Sequence, residues 1–354
     1  MNKKILDLYT DYLISKNKHA TATGLSALLD GKISHDQITR FLHRDELKSK
    51  ELWQYVKSEI RKHETERGGV FIVDDTIEEK PYTDKNDTVC WHYSHAKGRC
   101  VKGINILSAL IRYGDFALPI AFEIIRKDLC FCELKDKKEK HKSSVSKNQL
   151  FRNMLQQAVL NNVNFEYVLA DNWFGSKENM KYIHYDLNRK FIFGLKSNRL
   201  VALSEGDKQK GQYQDIRSLN LKNKETRTVW LKGLSCPVKL LKCVFKNENG
   251  TSGTLFLITN DLSLDADNIY DIYQKRWRIE EYHKSIKQNA SLEKSPTKVA
   301  RSQKNHIFAS IIAYCKLEFL RAQTALNHFA LKYKLILRSN QIAYQELRVL
   351  RSSA

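Results

Sequence analysis

Apolar residues recur along this chain with two different periods. Up to about residue 66 the period is helical. Thr21–Leu29 and Ser34–Leu42 are short apolar-periodic segments joined by Asp30-Gly31-Lys32. The Asp-Gly pair signals a turn, and Ser34 is suited to cap the second segment. That second segment carries Gln37, Thr39, Arg40 and His43. Two short helices around a tight turn are compatible with a helix-turn-helix or with an ordinary helical hairpin. The pattern changes at Gly68-Gly69, where a β-branched run, VFIVDD, ends in two acids. Val101–Tyr113 and Phe116–Ile125 follow as strands around Gly114-Asp115, a hairpin signal. Lys135–Lys147 is Lys-rich and predicts a surface loop. Asn148–Val163 is helical, Phe165–Asp171 is a strand running into an acid, Ser176–Leu187 is helical, and Lys190–Leu195 is a strand.

Residues 200–258 break this rhythm. Thr226–Leu231, Val238–Phe245 and Thr254–Thr259 alternate between charged or Gly-containing turns, the pattern of a β-rich insertion. From Asp265 to about Leu350 the pattern is helical again. The order of three strands, helix, strand, helix, strand, with an aspartate ending the first and fourth strands, predicts an α/β fold. It is a ribonuclease-H-like mixed sheet with helices on both faces, a β-rich insertion before the third acidic residue, and an N-terminal helical domain. The corresponding divisions are a helical domain at 1–66, an α/β domain at 67–330 with its insertion at 200–258, and a helical segment at 331–354.

Charge narrows the partners. Lys and Arg number 60 against 40 Asp and Glu, a formal net charge of +20. Such an excess argues against small neutral substrates and for a polyanion, nucleic acid first. No apolar run nears the ~18 residues of a membrane span, and MNKKILDLYT lacks a signal peptide's apolar block. A cytoplasmic, nucleoid-associated protein without a membrane partner is expected. The seven cysteines read most simply as buried thiols. Cys130-Phe131-Cys132 offers a metal pair, but no second pair stands at zinc-finger spacing.

Acids occur in three suggestive places: Asp74-Asp75, Asp171 in YVLADNWFG, and Glu280 in YQKRWRIEEYHKSIKQ. Carboxylates gathered at strand ends repel one another and bind hard divalent cations. Two such cations can drive phosphodiester chemistry. Tyr273, Arg276, Glu280 and Lys287 fall within roughly 60° of one helical face, giving a carboxylate, two cations and a phenol. His92 and His95 read as structural, and Thr76 as a site-lining hydroxyl.

The spacing Tyr-x2-Arg-x3-Glu-x6-Lys resembles the Y-R-E-K motif of a group of bacterial insertion-sequence DDE transposases of the cut-and-paste type. IVDDT resembles that family's first aspartate, matching Asp75, with Asp74 as the runner-up. VLADNWFGS resembles the second, Asp171. The resemblance covers about residues 68–330. It implies that Asp75, Asp171 and Glu280 are catalytic and hold two Mg²⁺, for which Mn²⁺ substitutes. It also implies that Tyr273, Arg276 and Lys287 grip phosphates. The partners implied are double-stranded DNA, both element ends and target, and further copies of the chain on that DNA. Some family members stack a flipped base on a tryptophan just before this helix. Here the stretch reads GTLFLITND, with Leu255 and Phe256, and Trp230 is the possible substitute. A nuclease without strand transfer and a non-catalytic DNA-binding repressor are the alternatives.

Overall fold

The computed structural model describes residues 2–65, 68–94, 97–133, 137–246 and 250–353. Glu66 and Arg67 at the expected domain boundary, His95, and Lys135 at the start of the Lys-rich run lie outside the described residues.

The N-terminal part is helical: α1 (Lys3–Ser15), α2 (Ala22–Leu28), α3 (His35–Arg44) and α4 (Ser49–His63). The first three begin where a side chain accepts an orphan backbone N–H. Asn2, Thr21 and Ser34 do this for Ile5, Gly24 and Gln37, and Ser34 with Gln37 closes a capping box. Then come β1 (Gly69–Glu79), β2 (Cys90–Ser94), β3 (Arg99–Tyr113), β4 (Phe116–Ile124), β5 (Leu129–Glu133), β6 (Lys138–Lys142), α5 (Lys147–Leu160), β7 (Phe165–Ala170), α6 (Lys177–Lys181) and β8 (Lys190–Leu195). The stretch read as an insertion contains β9 (Leu200–Ala202), α7 (Glu205–Gln209), β10 (Gln214–Asp215), β11 (Glu225–Leu231), β12 (Val238–Lys246) and β13 (Ser252–Thr259). The chain closes with α8 (Ala266–Gln274), α9 (Arg278–Gln288), α10 (Ala300–Thr324) and α11 (His328–Ser352).

Among the described residues one mixed sheet has the order β10-β9-β11-β12-β13-β8-β7-β1-β3-β2, with β4 sharing β3's outer edge beside β2. β1 runs antiparallel to β3 and parallel to β7, and β7 parallel to β8. The central strands carry near-continuous apolar runs: Val70–Val73, Ile104–Ile111 broken by Asn105 and Ser108, Tyr167–Ala170 and Phe191–Phe193 are buried. That is what a sheet covered on both faces requires. The inserted strands join the same sheet through β13 on β8.

α10 is buried along most of its length, polar residues included. Several of its polar groups find partners, though Gln303 Oε1 and Ser310 Oγ have none among the described residues. The Asn305 carbonyl accepts the Leu47 N–H, and its amide donates to Leu42 and Asp45 carbonyls. The His306 ring bonds the Tyr9 hydroxyl at 2.9 Å. Toward α9, Tyr282 meets Tyr314 edge-on at 4.8 Å, and Arg278 pairs with buried Glu318 at 3.0 Å. α10 therefore holds α9 against the sheet.

The structure departs from the sequence reading at four points. The stretch Lys135–Lys147 is no simple loop: β6 pairs with β5 as a separate two-stranded sheet, and α5 begins at Lys147. Its charged residues give no apolar alternation from which a strand is legible. β2 is a further strand, short and with its exposed Trp91 and Tyr93 alternating against buried Cys90 and His92. The helix across 265–289 tightens to a 3₁₀ turn at Lys275–Trp277. Cys100, Cys130 and Cys132 are exposed rather than buried, whereas Cys90, Cys243 and Cys315 are buried.

Candidate active site

β1 pairs with β3 in unbroken register from Val70 to Glu79. Successive side chains of such a strand take opposite faces of the sheet. Asp74 and Asp75 are thereby separated. Asp74 lies on the face covered by α9, where its Oδ2 is 3.5 Å from the Arg276 guanidinium. Asp75 lies on the other face. Its Oδ2 accepts from the Asn105 amide at 2.7 Å and from Lys147 Nζ, at the start of α5, at 2.8 Å.

Asp171 follows β7. Ile72 pairs with Leu169 in the parallel ladder, so two residues on Asp171 comes level with Asp74. The chain turns sharply there, and Asp171 Oδ1 accepts the N–H groups of Trp173 (2.9 Å) and Phe174 (3.4 Å). β8 approaches this turn closely. A Cβ on Gly194 would stand 2.9 Å from the Asn172 nitrogen and 3.2 Å from the Tyr273 hydroxyl, so only glycine leaves room.

α8, the 3₁₀ turn and α9 bring the remaining groups. Arg276, in the turn, is buried and sits 3.3 Å from Glu280 as well as beside Asp74. Its guanidinium lies over the rings of buried Tyr273 and exposed Trp277. Asp74, Glu280 and His283 each offer a ligand atom within 4.8 Å of the others. His283 Nε2 is buried and has no hydrogen-bond partner among the described residues. Lys287 is set apart: its Nζ donates to the Ile77 carbonyl at 2.9 Å and pairs with Glu293 at 3.4 Å.

The electrostatics follow from burial and crowding. Asp74 is pushed up to about 7, by burial first and then by the Asp171 charge. Burial also raises Asp171. His283 is pushed down to about 3 by burial, with Lys287 adding to it. Acids that resist charging beside a neutral imidazole with an unmatched nitrogen form a donor set suited to a divalent cation.

Of the residues singled out from sequence, the structure brings together Asp74, Asp171, Tyr273, Arg276 and Glu280. Asp75 faces α5, and Lys287, near the end of α9, reaches β1 further along, at Ile77. Trp230 is half-buried on β11, paired with Ala202. Sequence reading missed His283, although Glu280-x2-His283 is a spacing that puts both side chains on one helical face. It also missed Lys147 and Asn105, and exposed Trp173, over whose ring Lys147 Nζ stands at 5.1 Å. Nothing local marks those three.

The family profile of the DDE superfamily endonucleases matches residues 2–228. The chain belongs to that family. The matched span includes Asp74, Asp75 and Asp171 and stops short of Glu280. Among curated proteins the chain is 31% identical over 81 residues to a probable transposase for insertion sequence element IS5377 from Geobacillus stearothermophilus. The alignment spans 23% of this chain and 21% of that relative. Among the described residues no helix is long and apolar enough to cross a membrane.

Proposed function

We propose that this endonuclease is a transposase of the Y-R-E-K insertion-sequence group, which cuts the ends of a mobile element and joins them to target DNA. The observation that carries the reading is the convergence of Asp74, Glu280 and His283 donor atoms within 4.8 Å, beside Arg276 and level with Asp171. The strand order β4-β3-β1-β7-β8, antiparallel in its first three members and parallel in its last two, supports a ribonuclease-H-like catalytic core. We assign residues 1–66 to DNA binding, 67–330 to catalysis with the insertion at 200–258, and 331–354 to a C-terminal helical segment. Double-stranded DNA is the substrate in this reading, copies of the chain associate on it, and the protein works in the cytoplasm at the nucleoid.

Asp74, Asp171 and Glu280, with His283, would hold the metal. Of the neighbouring acids, Asp74 takes the leading role and Asp75 holds Lys147 on the opposite face. Bound Mg²⁺, as a pair and replaceable by Mn²⁺, supplies activation of a water or a 3′-hydroxyl and stabilises the leaving oxygen. The chain's own groups do the rest. Glu280 and Asp74 keep Arg276 in place, and its planar guanidinium is matched to a phosphate's paired oxygens. Tyr273 packs beneath Arg276 and limits its rotation. Lys287 is a point charge further along the strand for a flanking phosphate. Exposed Trp277 and Trp173 offer aromatic faces at the rim for unstacked bases.

The test is incubation of the purified chain and Mg²⁺ with DNA carrying the terminal repeats that flank its gene. Cleavage at repeat ends followed by joining supports the proposal. Cleavage without joining identifies a nuclease, and binding without cleavage a repressor.

A further inference from the structure

The β5–β6 hairpin is a sheet of its own, outside the main one. Leu129 and Phe131, its large apolar side chains, are exposed. A two-stranded hairpin with no core beneath it is marginally stable in water. Its cross-strand register sets Cys130 opposite His141 and Cys132 opposite Glu139. Side chains alternate along each strand, so these four share one face. Leu129, Phe131, Lys140 and Lys142 take the other, where Lys142 Nζ stands 5.3 Å over the Phe131 ring.

On the first face the donors already converge. One ligand atom each from Cys130, Glu139 and His141 lies within 4.8 Å of the others. His141 Nε2 is 2.8 Å from Glu139 Oε1. The Cys130 thiol hydrogen-bonds the same carboxylate, which raises the thiol's pKa and lowers that of Glu139. Cys132, directly across from Glu139, stands on the same face beside this trio.

We propose that Cys130, Cys132, Glu139 and His141 form a structural zinc site that staples this hairpin. Two thiolates, an imidazole and a carboxylate are ligands zinc takes, and four of them complete its tetrahedron. Thiolates are poor ligands for Mg²⁺, so the site is chemically distinct from the cluster of Asp74, Glu280 and His283 between β1 and α9. Binding releases the two thiol protons, Cys130's from its bond to Glu139, and the imidazole ligates as its neutral form. The metal replaces the core the hairpin lacks. The sequence hid the site because its second pair is Glu-x-His on the returning strand, where finger spacing has no counterpart. The hairpin's base is tied by Ser144 to both oxygens of Asp128 (2.8 and 2.6 Å), and α5 begins three residues later with Lys147.

The full chain, reduced and stripped with a chelator, is titrated with Co²⁺ and then with Zn²⁺. The expected result is a thiolate-to-cobalt charge-transfer band with the strong visible bands of a tetrahedral ion, bleached by one equivalent of Zn²⁺. Cys130→Ser, Cys132→Ser and His141→Ala should each weaken binding by at least about tenfold. Asp74→Asn should leave the bands intact. Hydrogen exchange across 129–142 should slow with Zn²⁺ in the parent and not in the double cysteine variant. Absence of the charge-transfer band, or its survival in the double variant, overturns the proposal. So does a Cys130–Cys132 disulfide that persists under reduction and excludes the metal.

Discussion

Asp74 and Asp75 are neighbours in the chain, and the strand sends them to opposite faces with different partners. Asp74 meets Arg276, Glu280 and His283, while Asp75 is held by Asn105 and Lys147. Asp74→Asn should therefore lower cleavage by on the order of 10²–10³ and remove most Mn²⁺ affinity. Asp75→Asn, acting through Lys147, should lower it only roughly tenfold. Cleavage rates and calorimetric Mn²⁺ titration check this, and equal losses in the two variants would refute the assignment. Burial and Asp171 push Asp74 up to about 7. The folded chain thus keeps a proton that the unfolded chain gives up near pH 4. The stability this confers is complete in acid and is lost as pH rises through about 7. Asp74→Asn abolishes that dependence. In metal-free buffer its Tm should exceed the parent's at about pH 8, by a free energy of at most about 4 kcal/mol, and match it only near pH 3, below the unfolded pKa. Calorimetric scans at the two pH values decide, and an equal difference at both would sink the buried-acid argument. The sequence displayed both acids but not which face each takes. That depends on β1's register with β3, a partner about thirty residues away. His283 was hidden for a related reason: its unmatched nitrogen exists only once α9 packs on the sheet.

Elements with strong periodicity were legible and those built from charge were not. The hairpin of β3 and β4 around Gly114-Asp115 follows its turn signal and its apolar runs. β6 (Lys138–Lys142) is built from charged and polar side chains, and the short apolar run of β5 lies exposed with no alternation, so no pattern announced the pair. The α8–α9 stretch was legible as a helix, but its 3₁₀ turn was not, and Arg276 sits in that turn. It reaches Asp74 and Glu280 directly instead of standing a turn away from the acids. α10 depends on a different interaction. Glu318 is fully buried and receives Arg278, Arg321, His328 and the Ala117 N–H. Burial alone would raise its pKa; the bonds from His328 and Arg321 and the charge of Arg278 outweigh it and pull it down to about 2. A depressed acid stabilises the fold above its unfolded pKa, and that contribution is lost as pH falls toward about 2. Glu318→Gln should cost about 3–5 kcal/mol at neutral pH, because it leaves buried cations without their charge partner. The gap should narrow below about pH 4. Urea melts at both pH values measure it; a neutral substitution at pH 7 would show that the network does not hold α9 to α10.

At the scale of the whole molecule, the order of strands and helices was enough to read an α/β sheet from residue 68 to residue 195. It was not enough to read that the stretch at 200–258 continues the same sheet. Strand joining across a long connection is decided by which edge is free, here β8's, and the chain does not write that locally. Net charge is the opposite case, being independent of fold and fully legible. An excess of 20 positive charges on a protein with an acid cluster at its centre creates a conflict: the surface attracts phosphates and the site repels them. The two effects separate experimentally. Surface lysines and arginines release counterions from DNA, and log K then falls with log[salt] by about 0.9 per phosphate neutralised. With on the order of six or more such contacts, binding to duplex DNA should weaken by about 10³-fold or more between 50 and 200 mM salt. Asp74→Asn, which removes a buried acid and no surface cation, should leave that slope unchanged while cleavage falls by on the order of 10²–10³. Arg276→Ala, which removes a buried cation from the site, should lower the slope by about one at most. Fluorescence anisotropy across the salt series reads all three. A flat slope in the parent would mean that the positive charge serves something other than DNA. A slope that changes in Asp74→Asn would mean that the acid acts in binding rather than in the cut.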